Sequence, residues 1–315
     1  MRTFDEVLHE AQSYGPRTIS VACSQDLDVL ASVAEAMDVG IADSLLFGDA
    51  EKTRAIAEEN GLDISNASVV DVKDPVDAAM KAVQAVSAGD AEVLMKGLVD
   101  TSVLMKQALN ADYGLRAGRV LSHVAVFDIR DYPRLLIGTD AAINIAPDLE
   151  QKRQMIDNAC EFAHALGITT PKVALICAKE KIDPKMPCTE EAGKLVEMNE
   201  SGSITGCTVG GPFALDNAVS VEAAKHKGIT HPVAGRADIL VTPDIEAGNI
   251  LYKSLVFLGG AKSAAVVVGA RAPIVLTSRA DSSETKLNSI ALAVLQAAAN
   301  AETAETADVD ARQLQ

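Results

Sequence analysis

Short apolar runs alternate with helical patterns along almost the whole chain, and this alternation limits the possible folds more than any single motif does. The apolar run RTISVAC (residues 17–23) precedes the helical pattern DLDVLASVAEAMDVGI, and the run DSLLFGD (residues 43–49) precedes AEKTRAIAEENG. Such βαβα alternation is typical of a parallel sheet that carries helices on both faces. Because aromatic residues make up only 3% of the chain, we expect a core of Ala, Val, Leu and Ile. The pattern predicts an α/β fold.

The domain organisation follows from length and from one break in the alternation. The 315 residues suggest two domains at roughly 150 residues each. The runs VLSHVAVFDI and RLLIGTDAAIN are separated only by RDYP, so we expect antiparallel neighbouring strands there. We expect two α/β lobes with a cleft between them, the first at residues 1–141 plus 280–315 and the second at residues 142–279. Residues 299–315 are acidic and lack an apolar stripe, which predicts a disordered tail.

The charge balance argues against polyanionic partners. The formal net charge is -16 and the pI is about 4.7, so the chain repels nucleic acid and anionic membrane surfaces. No apolar stretch is long enough to span a bilayer, and the first residues, MRTFDEVLHEAQ, predict an amphipathic helix rather than a signal peptide. The five cysteines have irregular spacing without a CxxC motif, which is typical of a reducing compartment. We expect a cytoplasmic protein.

The common cofactor and nucleophile motifs are absent from the sequence. The first predicted strand is followed by CSQDLD rather than GxGxxG, and neither GxxxxGK[ST] nor GxSxG occurs. The five histidines are scattered and form no HxxxH pair, so the sequence predicts no metal site. What remains is a set of polar residues that follow predicted strands.

One group of these residues lies in LMKGLVDTS. Lys96 and Gly97 directly follow a predicted strand, and Thr101 opens the next helix. A glycine at a strand end lets backbone amides approach a ligand, and a helix N-terminus carries partial positive charge. The alternative interpretation is an ordinary βα turn without a ligand.

Three further segments carry candidate binding residues. LRAGRVLSH contains Arg119, VTPDIEAGN contains Asp244 and Asn249, and GGPFALDNA contains Asp216. An arginine beside a glycine can bind an anion, but it can also be a solvated surface residue. Asp244 and Asp216 can orient a ligand, or they can cap the helices that follow them.

The segment IVLTSRADSSETK combines three functional groups within a few residues. Ser278 and Arg279 end a predicted strand, and Asp281 and Glu284 follow within about one helical turn. The planar fork of arginine suits phosphate, a hydroxyl can stabilise developing oxyanion charge, and a carboxylate can act as a general base. The combination favours an anion site over a capped surface helix.

Five segments together resemble the phosphate acetyl/butyryltransferase family: GTDAAIN, KVALICAKEK, GGPFALDNAVS, VAGRADILVTPDIEAGNILYK and PIVLTSRADS. The resemblance covers about residues 10–297, and AGRADILVTPDIEAGN is its most specific part. It implies an isocitrate/isopropylmalate dehydrogenase-like fold of two α/β lobes, with the active site in the interlobe cleft. It also implies acyl transfer among CoA, acyl-CoA, phosphate and acyl phosphate without a metal or other cofactor. The family implies pairing through the second lobe, as a homodimer or a multiple of one.

The resemblance also implies residue roles. Ser278 stabilises the tetrahedral transition state and Arg279 holds the phosphate. The family's base matches Glu284 or Thr285, six and seven residues after Ser278, so we expect Glu284 to be the base, with Asp281 as the alternative. Lys106 stands where the acetyl enzymes have an arginine that contacts phosphate, which is a difference from the pattern of those enzymes. The other residues of the expected substrate site are Lys96, Gly97, Thr101, Arg119, Asp216, Asp244 and Asn249.

The acyl group is predicted from smaller differences within the family. Val256 and Phe257 stand where acetyl enzymes have Gln-Arg, which implies room for a longer acyl chain. LMKG, LSHVAVFDI and AKEKIDPKMP resemble the butyryl branch, so the expected reaction joins butyryl-CoA and phosphate to butyryl phosphate and CoA. The alternatives are acetyl transfer, a metal- and NAD-dependent decarboxylating dehydrogenase, and a CoA- or acyl-phosphate-binding regulator without activity.

Overall fold

The computed structural model describes residues 1–277 and 281–313, without the side chains of residues 305 and 307–313. The chain forms two compact units. The terminal unit comprises residues 4–119 together with the chain from Ala264 onward, and the central unit comprises residues 1–3 and 120–263. The chain therefore passes between the units at Thr3/Phe4, Arg119/Val120 and Ser263/Ala264, whereas the sequence pattern placed the boundaries at 141/142 and 279/280.

Strands and helices alternate along most of the chain. The strands of the described residues are β1 (Arg17–Ala22), β2 (Ala42–Gly48), β3 (Ser68–Asp71), β4 (Val93–Lys96), β5 (Ser122–Asp128), β6 (Leu136–Thr139), β7 (Lys172–Ile176), β8 (Thr208–Phe213), β9 (Ile239–Val241), β10 (Lys262–Val268) and β11 (Ile274–Val275). The helices are α1 (Phe4–Ser13), α2 (Leu27–Asp38), α3 (Ala50–Glu59), α4 (Pro75–Ala88), α5 (Thr101–Ala108), α6 (Leu149–Ala165), α7 (Pro187–Glu200), α8 (Leu215–Val219), α9 (Val221–His226), α10 (Ile245–Lys253) and α11 (Ser283–Gln313). A π-helical turn, Ser254–Leu258, continues α10.

The sheet of the terminal unit is mostly parallel, with the strand order β3-β2-β1-β4-β11-β10. All neighbouring pairs from β3 to β11 are parallel, and only β10 runs antiparallel to β11. The strands β1 and β4 are almost fully buried, as expected for strands covered by helices on both faces. The carboxyl ends of β1, β4 and β11 therefore meet at one edge of this sheet.

The sheet of the central unit has the order β5-β6-β9-β7-β8. The pairs β6–β9, β9–β7 and β7–β8 are parallel, and β5 and β6 are antiparallel. The prediction that the RDYP segment joins antiparallel neighbours is confirmed. In this unit the carboxyl ends of β6 and β9 lie side by side.

The last helix is longer than the sequence pattern predicts. α11 runs to Gln313, whereas the sequence predicts a disordered tail from residue 299. Its first half buries an apolar stripe that includes Leu287, Ile290 and Leu295, and the helix packs against α1 and α2. The tail is rich in Ala, which has the highest helix propensity, so the backbone continues the helix without an apolar face. In the part of the chain that the structure describes, none of the helices combines the length and the apolar character that crossing a membrane would require.

Candidate functional site

Lys96 ends β4 in the middle of the terminal sheet, and its side chain is buried. Only 7% of the residue is exposed, and Nζ donates hydrogen bonds to the carbonyl oxygens of Gly97 (3.3 Å) and Val99 (3.2 Å). Burial of an ammonium group is costly unless polar groups replace its lost water. The two carbonyls replace part of this water, and Lys96 places its ammonium group at the carboxyl edge of the parallel strands.

Gly97 is required by the close packing of two strand ends. A Cβ atom at this position would lie 2.2 Å from the carbonyl oxygen of Cys23 and 2.7 Å from that of Ala22. The Gly97 N–H donates to the Ala22 carbonyl at 2.9 Å, and the N–H of Leu98 donates to the Cys23 carbonyl at 2.7 Å. Since the Gly97 amide is used within the sheet, the glycine contributes close packing rather than the ligand-facing amide that the sequence suggested.

Cys23 follows β1 at the same edge, with a left-handed backbone (φ 60°). Its side chain is buried. Burial, followed by the negative charge of Asp74, raises the pKa of the Cys23 thiol to about 11, against an opposing effect of Lys96. The thiol is therefore protonated at neutral pH. A protonated thiol is a poor nucleophile, so Cys23 is unsuited to covalent catalysis.

The other predicted binding residues of the terminal unit follow Lys96 along the chain. Thr101 is exposed at the first position of α5, and Lys106 is exposed in the last turn of the same helix. Arg119 is half-buried at the end of the unit's first chain segment. Lys96, Gly97 and Thr101 therefore belong to one βα turn, while Lys106 and Arg119 lie further along the chain.

The predicted Ser-Arg pair follows β11, the parallel neighbour of β4. Val275 pairs with Met95 in the register of these two strands, and Thr277 is buried at the strand end. Ser278 and Arg279 lie outside the described residues. Asp281 is half-buried, and Glu284 is exposed in the first turn of α11. The register therefore places the carboxyl end of β11 at the same edge of the sheet as Lys96.

The central unit contains a buried carboxylate, Asp140, that sequence reasoning did not select. Its two oxygens accept hydrogen bonds from the backbone N–H groups of His123 (3.0 Å), Ala142 (2.8 Å) and Ile143 (2.9 Å), and from Nδ2 of Asn144 (2.7 Å). The residue is 1% exposed. Because Asp140 directly follows β6, its position at a strand end was the available signal. Its bonds fix the loop after β6.

Asp244 and Asn249 lie beside this loop. Asp244 caps α10 by accepting a hydrogen bond from the Ala247 N–H at 2.8 Å, so the capping interpretation of this residue is confirmed. Nδ2 of Asn249 donates to the Ala141 carbonyl at 3.2 Å. Asn249 also lines an open pocket of about 520 Å³, together with Ala141, Ala142, Ile245, Glu246 and Ile250. Asn249 therefore faces open space, whereas Asp244 is not part of the pocket lining.

Asp216 stands apart from the other two residues. It lies in α8 after β8, is exposed, and accepts a hydrogen bond from the backbone N–H of Asn217 at 2.9 Å. In the central sheet, β7 separates β8 from β9, whose end leads to Asp244. The structure therefore does not bring Asp216 and Asp244 together within this unit.

The dehydrogenase alternative would need a cluster of Asp ligands for a metal ion, and Asp238 and Asp244, six residues apart, would be weak ligands for it. Asp238 is the first of the two. It is buried, accepts a hydrogen bond from the Lys172 N–H at 2.9 Å, and pairs with Arg134 at 3.1 Å. It precedes β9, whereas Asp244 follows that strand, so the two carboxylates lie at opposite ends of the strand. Among the described residues, no group of three or more His, Cys, Asp or Glu residues is arranged to hold a metal ion.

In both units, charged and polar residues lie where parallel strands end, which is the place where α/β proteins commonly bind their ligands. The sequence profile described as "Phosphate acetyl/butaryl transferase" matches residues 73–294. The chain belongs to this family. The resemblance inferred from the sequence is thereby confirmed, and so is the predicted enzyme class, an acyltransferase.

Similar proteins cover nearly the whole chain. A phosphate butyryltransferase from Clostridium beijerinckii is 48% identical over 299 residues, covering 95% of this chain and 99% of the relative. A phosphate acetyltransferase from Thermotoga maritima is 48% identical over 292 residues, covering 93% and 99%. The crystal structure of a branched-chain phosphotransacylase from Enterococcus faecalis V583 is similar with a TM-score of 0.80 and 35% identity, covering 89% of this chain and 99% of that chain.

These structures correct the predicted fold. The expectation of an isocitrate/isopropylmalate dehydrogenase-like fold with an interlobe cleft was wrong, because the structures that match are phosphotransacylases. A more distant match, a 4-hydroxythreonine-4-phosphate dehydrogenase from Klebsiella pneumoniae, has a TM-score of 0.55 and 14% identity over 90% of this chain and 99% of that chain. The wrong expectation came from the family resemblance. The alternation of strands and helices could not correct it, because strand order depends on long-range pairing that periodicity does not report.

The contacts of Gly97 predict a specific intolerance. We expect Gly97→Ala to lower the free energy of unfolding by about 1–3 kcal/mol, since the new methyl group meets backbone carbonyls that cannot move aside. Gly138→Ala is the matched control, because the nearest atom to its Cβ is Cε2 of the Phe127 side chain at 3.3 Å, which can shift. Urea denaturation measures both. Equal losses for the two variants would contradict the packing role of Gly97.

Proposed function

We propose that this protein is a phosphate butyryltransferase, which reversibly converts butyryl-CoA and phosphate to butyryl phosphate and CoA. The observation that carries the proposal is the 48% identity to a phosphate butyryltransferase across 95% of the chain. The acetyltransferase relative is equally identical, and the similar solved structure is a branched-chain enzyme. Sequence identity alone therefore does not indicate which acyl group the enzyme transfers. The butyryl assignment depends also on the butyryl-like segments and on the apolar Val256 and Phe257.

In the direction that forms the thioester, the proposed reaction is a direct transfer between two bound substrates. Glu284, or alternatively Asp281, takes the proton of the CoA thiol, and the resulting thiolate attacks the acyl carbonyl. The new C–S bond forms as the bond between the acyl carbon and the phosphate oxygen breaks, and phosphate leaves. Ser278 donates to the oxyanion, and Arg279 binds the leaving phosphate. No cofactor enters these steps, which remains a prediction from the resemblance.

The charge distribution supports a phosphate site near Lys96. A chain with net charge -16 repels phosphate over most of its surface, so binding needs fixed local cations. Lys96 supplies one at the edge where β11, the strand that leads into Ser278, also ends. Lys106 and Arg119 are further cations of the same unit, while Gly97 and Thr101 shape the turn. In the central unit, Asn249 lines the open pocket, and we propose that Asn249, Asp244 and Asp216 contact CoA or the acyl group.

A thiol assay across acyl lengths tests the proposed activity. The purified protein is mixed with phosphate and one of acetyl-, propionyl-, butyryl-, isobutyryl- or isovaleryl-CoA, and free CoA is measured with a thiol reagent. We expect phosphate-dependent release of CoA, with the largest kcat/KM for butyryl-CoA. A control without phosphate measures hydrolysis.

Each outcome of this assay identifies one candidate. A maximum for acetyl-CoA would replace the butyryl assignment by the acetyl one, and a maximum for isobutyryl- or isovaleryl-CoA would favour a branched substrate. If no CoA is released and the protein binds NAD in a fluorescence titration, the dehydrogenase alternative gains support. CoA binding without turnover would indicate the regulator.

Arg279 is expected to determine phosphate affinity. Arg279→Gln removes the positive charge and the fork of N–H groups that can donate two parallel hydrogen bonds to phosphate. Because charge-assisted hydrogen bonds contribute about 1.5–3 kcal/mol, we expect the KM for phosphate to rise roughly 10- to 100-fold. The KM for butyryl-CoA should change little. Arg54→Gln, on the exposed surface of α3, is the matched control. An unchanged KM for phosphate in Arg279→Gln would show that the phosphate is held elsewhere.

We also propose that the protein is a homodimer or a multiple of one, formed through the central unit. Four large apolar side chains are at least 67% exposed there: Ile145 (69%), Ile250 (67%), Phe257 (71%) and Leu258 (87%). The Ile145 carbonyl accepts a hydrogen bond from the Ile245 N–H at 3.0 Å, which keeps Ile145 beside α10. Exposed apolar clusters of this kind mark association surfaces. We propose a cytoplasmic location as well.

The dimer proposal predicts the effect of a charge in this surface. Leu258→Glu should shift the sedimentation coefficient from that of a dimer toward that of a monomer, because a carboxylate cannot be buried unpaired. Val76→Glu, an exposed position in the first turn of α4, is the control and should leave the mass unchanged. A monomeric wild-type protein would contradict the proposal outright.

A further inference from the structure

Four of the five cysteines lie in the central unit, where they form two pairs of neighbouring free thiols. Cys177 is a neighbour of Cys188, and Cys160 is a neighbour of Cys207. The spacing along the chain gives no sign of these pairs, because residues 177 and 188 are 11 positions apart and residues 160 and 207 are 47 apart. The fold brings the thiols together.

Cys177 directly follows β7, at the carboxyl edge of the central sheet. It is buried, and its backbone N–H donates to the Phe213 carbonyl at 2.8 Å, which ties the residue to the end of β8. Burial, followed by the neighbouring Cys188 thiol, raises the pKa of the Cys177 thiol to about 12, against an opposing effect of Lys152. The two thiols are therefore close enough for each to affect the ionisation of the other.

Cys188 is the accessible thiol of this pair. It is half-buried in the first turn of α7. The next residue, Thr189, is fully buried and fixes this turn: its Oγ1 donates to the Met186 carbonyl at 2.8 Å and accepts from the Asp183 N–H at 2.8 Å. Both cysteines are thus held at well-defined backbone positions, one on a strand end and one on a helix start.

The two thiols line one small, partly open pocket of about 20 Å³. A pocket of more than roughly 10–15 Å³ can hold one water-sized molecule. Lys152 and Glu191 line the same pocket and form an ion pair, in which the lysine side chain is buried. A cation beside a thiol stabilises the thiolate, which is the reactive form of cysteine. The pocket therefore combines a pair of thiols, a cation and room for a small reactant.

Packing alone does not account for this arrangement. Buried thiols in an apolar core act as small hydrophobic side chains. Here one thiol is accessible, space remains beside both, and ionised groups line that space. An accessible cysteine beside a second cysteine is the arrangement of thiols that react reversibly with small oxidants.

The second pair has different charged neighbours. The charges that act on Cys160, apart from its partner thiol, are those of Asp157 and Glu161, and both carboxylates oppose a thiolate. The contact with Cys160 nevertheless lowers the pKa of the Cys207 thiol. The second pair is therefore the natural competitor of the first, and an experiment has to distinguish the two.

We propose that Cys177 and Cys188 form a reversible dithiol–disulfide site whose oxidant is a peroxide. This inference goes beyond the proposed acyl transfer and does not depend on it. The bond ties the start of α7 to the end of β7, beside Thr242 and Pro243 of the same pocket. In a reducing compartment such a disulfide is transient, which is typical of redox-sensing sites.

The oxidation balances with hydrogen peroxide as the only co-reactant. The Cys188 thiolate attacks the O–O bond, which gives a sulfenic acid at Cys188 and a hydroxide ion, and the hydroxide takes up the proton that the thiol released. The Cys177 sulfur then attacks the sulfenic sulfur, so that the S–S bond forms, the S–O bond breaks, and a second water leaves with the Cys177 proton. The two sulfurs together lose two electrons, which the peroxide gains. A dithiol reductant reverses the bond by two thiol–disulfide exchanges.

Peptide mapping of the wild-type protein tests the site without any substitution. The reduced protein is treated with hydrogen peroxide, the remaining thiols are alkylated, and the denatured protein is digested with trypsin. One disulfide uses two of the five thiols, so we expect three alkylated cysteines and a link between the peptides 173–179 and 186–194. Dithiothreitol should restore five alkylated thiols.

Two outcomes of the mapping would overturn the proposal. One is a link formed only between the peptides 154–172 and 195–225, which would place the reactive pair at Cys160 and Cys207. The other is a protein that keeps five thiols or gains oxygen atoms without a link. The readouts are masses and thiol counts, so they are valid whether or not the protein transfers acyl groups.

Three serine variants test the order of the steps. Cys188→Ser should slow the peroxide-dependent loss of thiols about tenfold, because the buried Cys177 is protonated and has no partner. Cys207→Ser is the matched control, which removes one thiol from the other pair and should form the link between 173–179 and 186–194 at the wild-type rate. In Cys177→Ser the sulfenic acid at Cys188 has no resolving thiol, so dimedone should label Cys188. Equal rates of thiol loss in Cys188→Ser and Cys207→Ser would contradict the proposal.

Discussion

The pairing of β4 with β1 on one side and β11 on the other determines what the terminal unit can do. Ala22 pairs with Lys96 across one ladder, and Met95 pairs with Val275 across the other. Because all three strands are parallel, their carboxyl ends reach the same edge of the sheet. Segments far apart in the sequence thus supply a buried cation and the start of the Ser-Arg segment at one place. This is the general advantage of parallel sheets as a frame for binding sites.

The acidic composition makes the placement of each cation meaningful. Many of the carboxylates are used locally, for example as the N-caps Asp26, Asp49, Asp74 and Asp148, where they accept backbone hydrogen bonds at helix starts. The excess of negative charge is thus partly explained by helix capping rather than by binding. A lysine that is buried against this background has a solvation cost that only a specific contact offsets.

The sequence predicts this structure well where the signal is local. Alternation predicts the strands and helices, the short RDYP segment predicts the antiparallel pair β5–β6, and the strand-end motif locates Lys96. Strand order, and therefore the named fold, depends on long-range pairing that no local pattern encodes. The chain leaves the terminal unit for the central unit after Arg119, and no change in amino-acid composition marks this point in the sequence either.

The candidate site was predictable to a similar extent. Residue types at strand ends identify Lys96 and Asp244, but not their partners: Asp244 caps a helix, and the amide of Gly97 is used by β1. Asp140 carries the same strand-end signal as the selected residues, but its hydrogen bonds to its own loop emerge only in three dimensions. Lys286, in the first turn of α11, is only 2% exposed, and it has no signal at all, because a lysine early in a helix is ordinarily read as a solvated residue. Its burial follows from the packing of α11 against α2, which the sequence does not report.

Lys96 and Lys286 share one physical solution to burial. Each ammonium group donates to carbonyl oxygens of the chain within a few residues of itself: Lys96 to Gly97 and Val99, and Lys286 to Asp281. A carbonyl replaces part of the lost hydration, but it is a dipole and leaves the net charge in place. An anion or a developing negative charge nearby further offsets the cost of burying such an ammonium group. The acyl transfer that we propose brings both, in the phosphate group and in the oxyanion, which fits the burial of Lys96 and Lys286 in so acidic a chain.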